Sequence, residues 1–199
     1  MDSKFFRFIR VHPPAPPSVP QGGTTERGRS IATEDGFVVK SSAMLRKIQS
    51  KKDQSRGGSF AIVASRYNGR YVDAMLRAAK AELWRADVSR IQIVRVPGAY
   101  EIPVVAKRLA RTLPGLSAII CLGVVLRGET VHAAYIGEAV NRALMQIQLA
   151  HEIPVIHEVL LLENEAQARV RCLNPKHNRG TEAAQTALAM ARVLKSLPG

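Results

Sequence analysis

The stretch "AIICLGVVLRGETVHAAYIGEAV", residues 118–140, changes character twice. Residues 118–126 form an unbroken apolar run, the pattern of a strand buried on both faces. Further on, Ile136, Ala139, Val140, Ala143, Leu144 and Ile147 recur at helical spacing on one stripe. Between strand and helix lie Arg127, Gly128, Glu129 and Thr130, and His132 falls within the first helical turn. A buried strand that opens into charge and glycine before a helix predicts a site at the strand's exit.

The same alternation extends in both directions. "FAIVAS" (60–65) and "IQIVRV" (91–96) are short strand-like runs, the second stopped by Pro97 and Gly98. "PVIHEVLLL" (154–162) is a fourth. Helical spacing links Val72, Met75, Leu76, Ala79 and Leu83, and a second helix over 101–112 includes Val104, Val105, Leu109 and Ala110. Two more helices are predicted near 164–171 and 180–197. The order β-α-β-α-β-α-β-α-α predicts an α/β fold, a three-layer sandwich around a four-stranded parallel sheet. Helices cover both faces in the doubly wound, flavodoxin-like manner. Ligands of such sheets gather beyond the C-terminal ends of the strands. The unusual residues fall there: "RYN" after the first strand, "PGAYE" after the second and "RGETVH" after the third.

Composition narrows the class. With 46% apolar residues in 199, the chain supports one core of ordinary size. No apolar run reaches the length of a membrane span, so a soluble protein without a membrane role is expected. Two cysteines make no disulfide framework, and Cys121, inside an apolar run, reads as a buried free thiol suited to a reducing, cytoplasmic compartment. The net charge is +13. Residues 1–58 hold 11 Lys or Arg against 5 acidic residues, and their proline- and glycine-rich segment "VHPPAPPSVPQGGTTERGRS" predicts a largely disordered extension. The folded domain is expected over 59–199. The first ten residues, "MDSKFFRFIR", alternate apolar and basic residues, which invites a targeting reading. The apolar part is too short for a secretory signal and Asp2 sits poorly in an organellar presequence, so organellar targeting is the lesser alternative to a cytoplasmic location. Aromatics are only 5% and do not interleave with the basic residues, so a nucleic-acid groove is not expected.

Each strand-exit motif has a chemical and a structural explanation. At "RGETVH", Gly128 opens backbone conformations closed to other residues, and the helix behind it offers free N–H groups and a partial positive charge, a seat for phosphate. Glu129 would contribute its N–H, and Thr130 either caps the helix or donates its hydroxyl to the anion. The helix field biases His132 toward the neutral imidazole that acid–base work requires. A capped helix with an exposed histidine explains the same residues structurally. In "VPGAYEIP", backbone groups at Ala99 and Tyr100 suit a heterocycle edge and Glu101 suits hydroxyl groups, while a dipole-matched glutamate is the plain alternative. Tyr67 either stacks on a flat ring or packs. Near the C-terminus, Arg171, Lys176 and Arg179 precede Gly180, and a guanidinium at Arg171 suits a phosphate as well as a solvated basic face. No metal-ligand spacing, dinucleotide fingerprint, P-loop or nucleophile elbow is present.

Taken in order and spacing, "RYN", "VPGAYEIP", "LGVVLRGETVH" and "NRGTEAA" resemble the 6,7-dimethyl-8-ribityllumazine synthases of riboflavin biosynthesis, over residues 60–195. The resemblance implies condensation of 5-amino-6-(D-ribitylamino)uracil with 3,4-dihydroxy-2-butanone 4-phosphate, releasing phosphate and water without metal or organic cofactor. It implies aminouracil contacts at Tyr67, Asn68, Ala99, Tyr100, Glu101, Val124, Val125, Leu126 and His157. Phosphate and butanone contacts fall to Gly128, Glu129, Thr130, Arg171 and Arg179, with His132 the proton-transfer residue and Arg171 its catalytic companion. It further implies a homo-oligomer, a pentamer or a sixty-subunit shell, with sites between neighbouring subunits and riboflavin synthase as a partner. In shells the N-terminal segment adds a strand to a neighbour's sheet, a role open to "GFVVKSS" (36–42).

The chain departs from that pattern at His157 and Glu158, where the family shows Phe-Gly, at Arg179, where lysine is usual, and in the small pair Ala133 and Ala134. Weakened or altered substrate binding is expected. Two alternatives follow. One is a non-catalytic shell or flavin-binding member of the fold carrying a basic arm; the other is a nucleic-acid-associated assembly using the +6 extension as that arm.

Overall fold

Every strand among the described residues pairs parallel to its neighbour, and that single choice of direction forces the architecture. A computed structural model describes residues 57–198, with the order β1 (Ser59–Ser65), α1 (Gly69–Arg85), β2 (Arg90–Val96), α2 (Ile102–Thr112) and β3 (Leu116–Leu126). There follow α3 (His132–His151), β4 (Val155–Leu162), the four-residue α4 (Glu165–Ala168), a π-helical turn (Arg169–Leu173) and α5 (Arg179–Ser196). The expected extension over 1–58, with its segment 36–42, lies outside the described residues but for Gly57 and Gly58.

The four strands lie in the order β2-β1-β3-β4, so the sheet grows outward both ways from the β1/β3 pair. Successive side chains of a strand point to opposite faces, and here both faces are buried. Phe60, Ile62, Ala64, Ile120, Leu122 and Val124 point one way into a core with α1 and α5. Ala61, Val63, Ile119, Cys121, Val155 and Val159 point the other way, toward α2 and α3. Three layers and a doubly wound parallel sheet result, as the apolar runs predict.

Three details differ from the sequence expectation. The helix expected over 164–171 winds as α for only four residues and then widens into the π turn. Val104 is exposed rather than buried, because Ile102 and Ala106 take the inward positions of α2. The stripe on α3 splits: Val140, Leu144 and Ile147 are buried, whereas Ala139 faces outward. Cys121 is a free buried thiol as expected, and burial pushes its pKa far above the usual thiol range. No described helix is long and apolar enough to cross a membrane.

Helix α5 approaches α1 as closely as backbones allow. Asn178 caps α5, its Oδ1 accepting from Gly180 N at 2.9 Å while its Nδ2 donates to the Cys172 carbonyl. A β-carbon on Gly180 would stand 2.0 Å from the Met75 carbonyl oxygen of α1. No rotamer relieves a clash with backbone, so the two helices would have to separate. Gly180→Ala is therefore expected to cost about 3 kcal/mol or more, read as a lowered denaturant midpoint; an unchanged midpoint would contradict the packing.

Candidate active site

The exits of β1, β2 and β3 meet because each connection is tied to the next strand. After β1, Arg66 N donates to the Val96 carbonyl at 2.8 Å and Tyr67 N to the Pro97 carbonyl at 3.0 Å. Asn68 then takes a left-handed conformation, φ 54°, and starts α1. Its amide Nδ2 donates to the Val124 carbonyl at 2.8 Å, joining the first exit to the third. After β2, Glu101 turns back and its Oε2 accepts from Gly98 N at 2.8 Å. The Tyr67 ring lies against Gly98, where a β-carbon would sit 3.1 Å from it and 2.9 Å from Glu101 Oε2. Gly98 is thus a close-approach glycine.

These ties shape a cleft of about 1230 Å³. Tyr67, Asn68, Gly98, Ala99, Tyr100, Glu101, Val124, Val125, Leu126 and His132 line its mouth. Tyr67 and Tyr100 are 70% and 64% exposed, so neither ring is spent on the core. All eight aminouracil positions expected on this side of the sheet, Tyr67 through Leu126, come together here. So does His132, the first residue of α3.

The wall along α3 was not legible as a site. Tyr135, Ile136, Ala139, Arg142, Ala143 and Gln146 continue it for several turns. Their spacing from His132 by threes and fours was the available signal, but it is also the signal of a core stripe. Arg142 is paired on the surface with Glu138 at 2.8 Å.

The segment before α3 keeps its polar groups open. Gly128, Glu129 and Thr130 are exposed. Two expectations are corrected here. Gly128 does not use a positive φ, and a β-carbon there would meet nothing within 4 Å, so its value is open space and not conformation. Thr130 is not the N-cap; Val131 holds that position without any side-chain cap. The first N–H groups of α3 are accordingly left without a side-chain acceptor. Arg127 is held toward β4, its N donating to the Leu162 carbonyl at 2.8 Å and its Nε 3.3 Å from Glu163.

The remaining candidates lie elsewhere in the chain. Arg171, on the π turn, and Arg179, at the start of α5, line a second cleft of about 560 Å³ with Leu160, Leu161, Leu162 and Val170. Arg171 is exposed. His157 projects from β4, the edge strand, on the face opposite Glu158, and is open to solvent. Burial by its surroundings nonetheless lowers the imidazole pKa, its backbone hydrogen bond opposing the shift. Thus His132 and Arg171 do not share a cleft within one chain. Glu158 and Arg179, two separate departures in sequence, turn out to be one interaction: Arg179 Nε and Nη2 fork Glu158 at 3.0 and 2.9 Å.

A parallel three-layer sheet with a ligand-sized cleft at its strand exits and an imidazole at its rim defines an α/β protein of enzyme type. The sequence profile of the 6,7-dimethyl-8-ribityllumazine synthase family matches residues 57–195, and the chain belongs to that family, a transferase family of riboflavin biosynthesis. Among relatives bearing that name, one from Stenotrophomonas maltophilia (strain R551-3) is 38% identical over 141 residues, 70% of this chain and 90% of the relative. Another, from Salinibacter ruber (strain DSM 13855 / M31), is 39% identical over 145 residues, 72% of this chain and 92% of the relative.

Because Asn68 supplies both a strained backbone and a tie, two substitutions separate its contributions. Asn68→Gly and Asn68→Ala both lose the amide donor, but only glycine accepts φ 54° without steric cost. Asn68→Ala should be less stable than Asn68→Gly by about 1 kcal/mol, measured by urea denaturation. Equal midpoints would count against the left-handed conformation.

Proposed function

We propose that the chain catalyses the condensation of 5-amino-6-(D-ribitylamino)uracil with 3,4-dihydroxy-2-butanone 4-phosphate, giving 6,7-dimethyl-8-ribityllumazine, phosphate and water. The observation that carries this is the meeting of Tyr67, the 99–101 turn, the end of β3 and His132 around one cleft. Tyr67 stacks on the pyrimidine. Peptide groups of 99–101 and 124–126 read its edge, and His132 moves protons during imine formation and elimination. The phosphate sits at Gly128–Thr130, where the uncapped start of α3 presents N–H groups.

Arg171 completes this seat from an adjacent copy of the chain, and His157 comes from the same neighbour. Two features support that reading. Arg171 and His157 are absent from the lining of the cleft that holds His132. Val131, just before α3, and Tyr135, Met145 and Leu149 on it are also exposed at spacings of four to ten residues along one side, with Tyr135 lining the cleft itself. An apolar strip of this kind is suited to burial against another protein surface. Both described cysteines are free and buried, which fits a reducing compartment.

Mixing both substrates with purified protein and following lumazine fluorescence tests the activity; no product from the assembled protein would overturn it. His132→Ala should lower kcat by about a hundredfold or more with little change in KM, as loss of an acid–base group does. A complementation experiment tests the shared site. His132→Ala and Arg171→Ala proteins, each impaired alone, should regain activity when unfolded together and reassembled. Sites built within single chains would give none.

A further inference from the structure

We propose that Glu158 is a positioning residue for anion recognition: it holds Arg179 out of ligand binding and leaves Arg171 to receive the anion. This rests on the proposed phosphate role of Arg171 and departs from the sequence expectation that Arg179 shares it.

The geometry is specific. Glu158 points from β4 toward α5, its side chain only 8% exposed. An unpaired carboxylate so placed would be costly. Arg179 supplies the partner, with Nε 3.0 Å from Oε2 and Nη2 2.9 Å from Oε1. Its third nitrogen, Nη1, meets Glu182 one helical turn away. All three guanidinium nitrogens therefore face carboxylate oxygens, in the planar fork that suits this pair. The electrostatics agree in direction. Burial raises the Glu158 pKa, and Arg179 and Arg171 only partly oppose it. Burial works to lower Arg179, and Glu158 with Glu182 more than offsets it.

Arg171 is different. It lines the same cleft and its charge acts on Glu158, yet it has no salt bridge among the described residues. The four groups Glu158, Glu182, Arg171 and Arg179 sum to zero charge. A phosphate approaching Arg171 therefore meets a neutral cluster with one available guanidinium. Removing the Glu158 charge would make the cluster positive and release Arg179.

The assembled full-length protein, titrated with inorganic phosphate at low ionic strength by calorimetry, tests this. Glu158→Gln should tighten phosphate binding by about three- to tenfold, the scale expected for one added charge near a screened anion. Glu182→Gln, on the outer side of the pair and less demanding of the fold, should shift it the same way by less. Arg171→Ala should weaken binding, and Glu158→Gln added to Arg171→Ala should recover part of it through the released Arg179. A merely structural Glu158 would not produce that recovery. Unchanged binding in both glutamine variants, or no recovery in the double variant, overturns the inference alone. Wild-type protein that binds no phosphate overturns both it and the phosphate reading, whereas lumazine formation reports on the reaction separately.

Discussion

A single carboxamide, that of Asn68, reaches from the end of β1 to the carbonyl of Val124 near the end of β3. These two strands are adjacent at the centre of the sheet, and their exits would otherwise be separate loops. The bond fixes the height at which α1 departs and with it the placement of Tyr67, one residue earlier. Tyr67 in turn rests on Gly98 of the next exit, which Glu101 locks by accepting from its N–H. The cleft is thus a consequence of backbone and side-chain hydrogen bonds that complete the strand ends. Ligand-facing groups are what remains after those bonds are made.

This order of priority explains which parts of the site were legible. Apolar runs separated by helical stripes announce a parallel sheet, because strands buried on two faces have no polar side to show. Motifs at strand exits then mark the cleft. What a motif residue does is less visible. Asn68, expected as a substrate contact and part of the cleft lining, also ties its amide Nδ2 to the Val124 carbonyl. "NRG" combines a cap at Asn178, an ion pair at Arg179 and a helix contact at Gly180. Gly128 was read as a conformational glycine and is instead simply small. Local sequence reports that a residue type is needed; only the fold reports whether backbone angle, space or side chain is the reason.

Pairs are harder still. Glu158 and Arg179 are 21 residues apart, and each alone resembles a casual substitution. Together they satisfy the rule that a buried charge requires an opposite charge with matching donors. The same limit applied to α3, whose stripe was read as one face. The strip that α3 buries is narrower than its apolar residues cover. Val140, Leu144 and Ile147 fill that strip, and the remaining apolar positions turn outward to line the cleft.

The division of ionisable groups between two clefts has a physical logic of its own. His132 stands at the helix start with the exposed 128–130 segment, and Arg171 stands across β4 beside a carboxylate pair. In the proposed arrangement a second copy supplies Arg171, and its approach is set by assembly after each cleft has formed. On the proposed reading the Glu158–Arg179 pair also serves turnover: a second free guanidinium beside Arg171 would strengthen phosphate retention, including that of the phosphate the reaction must release. Tight product binding slows turnover as surely as a poor transition-state contact. A cluster with balanced charge and one available arginine would bind the anion while still permitting it to leave.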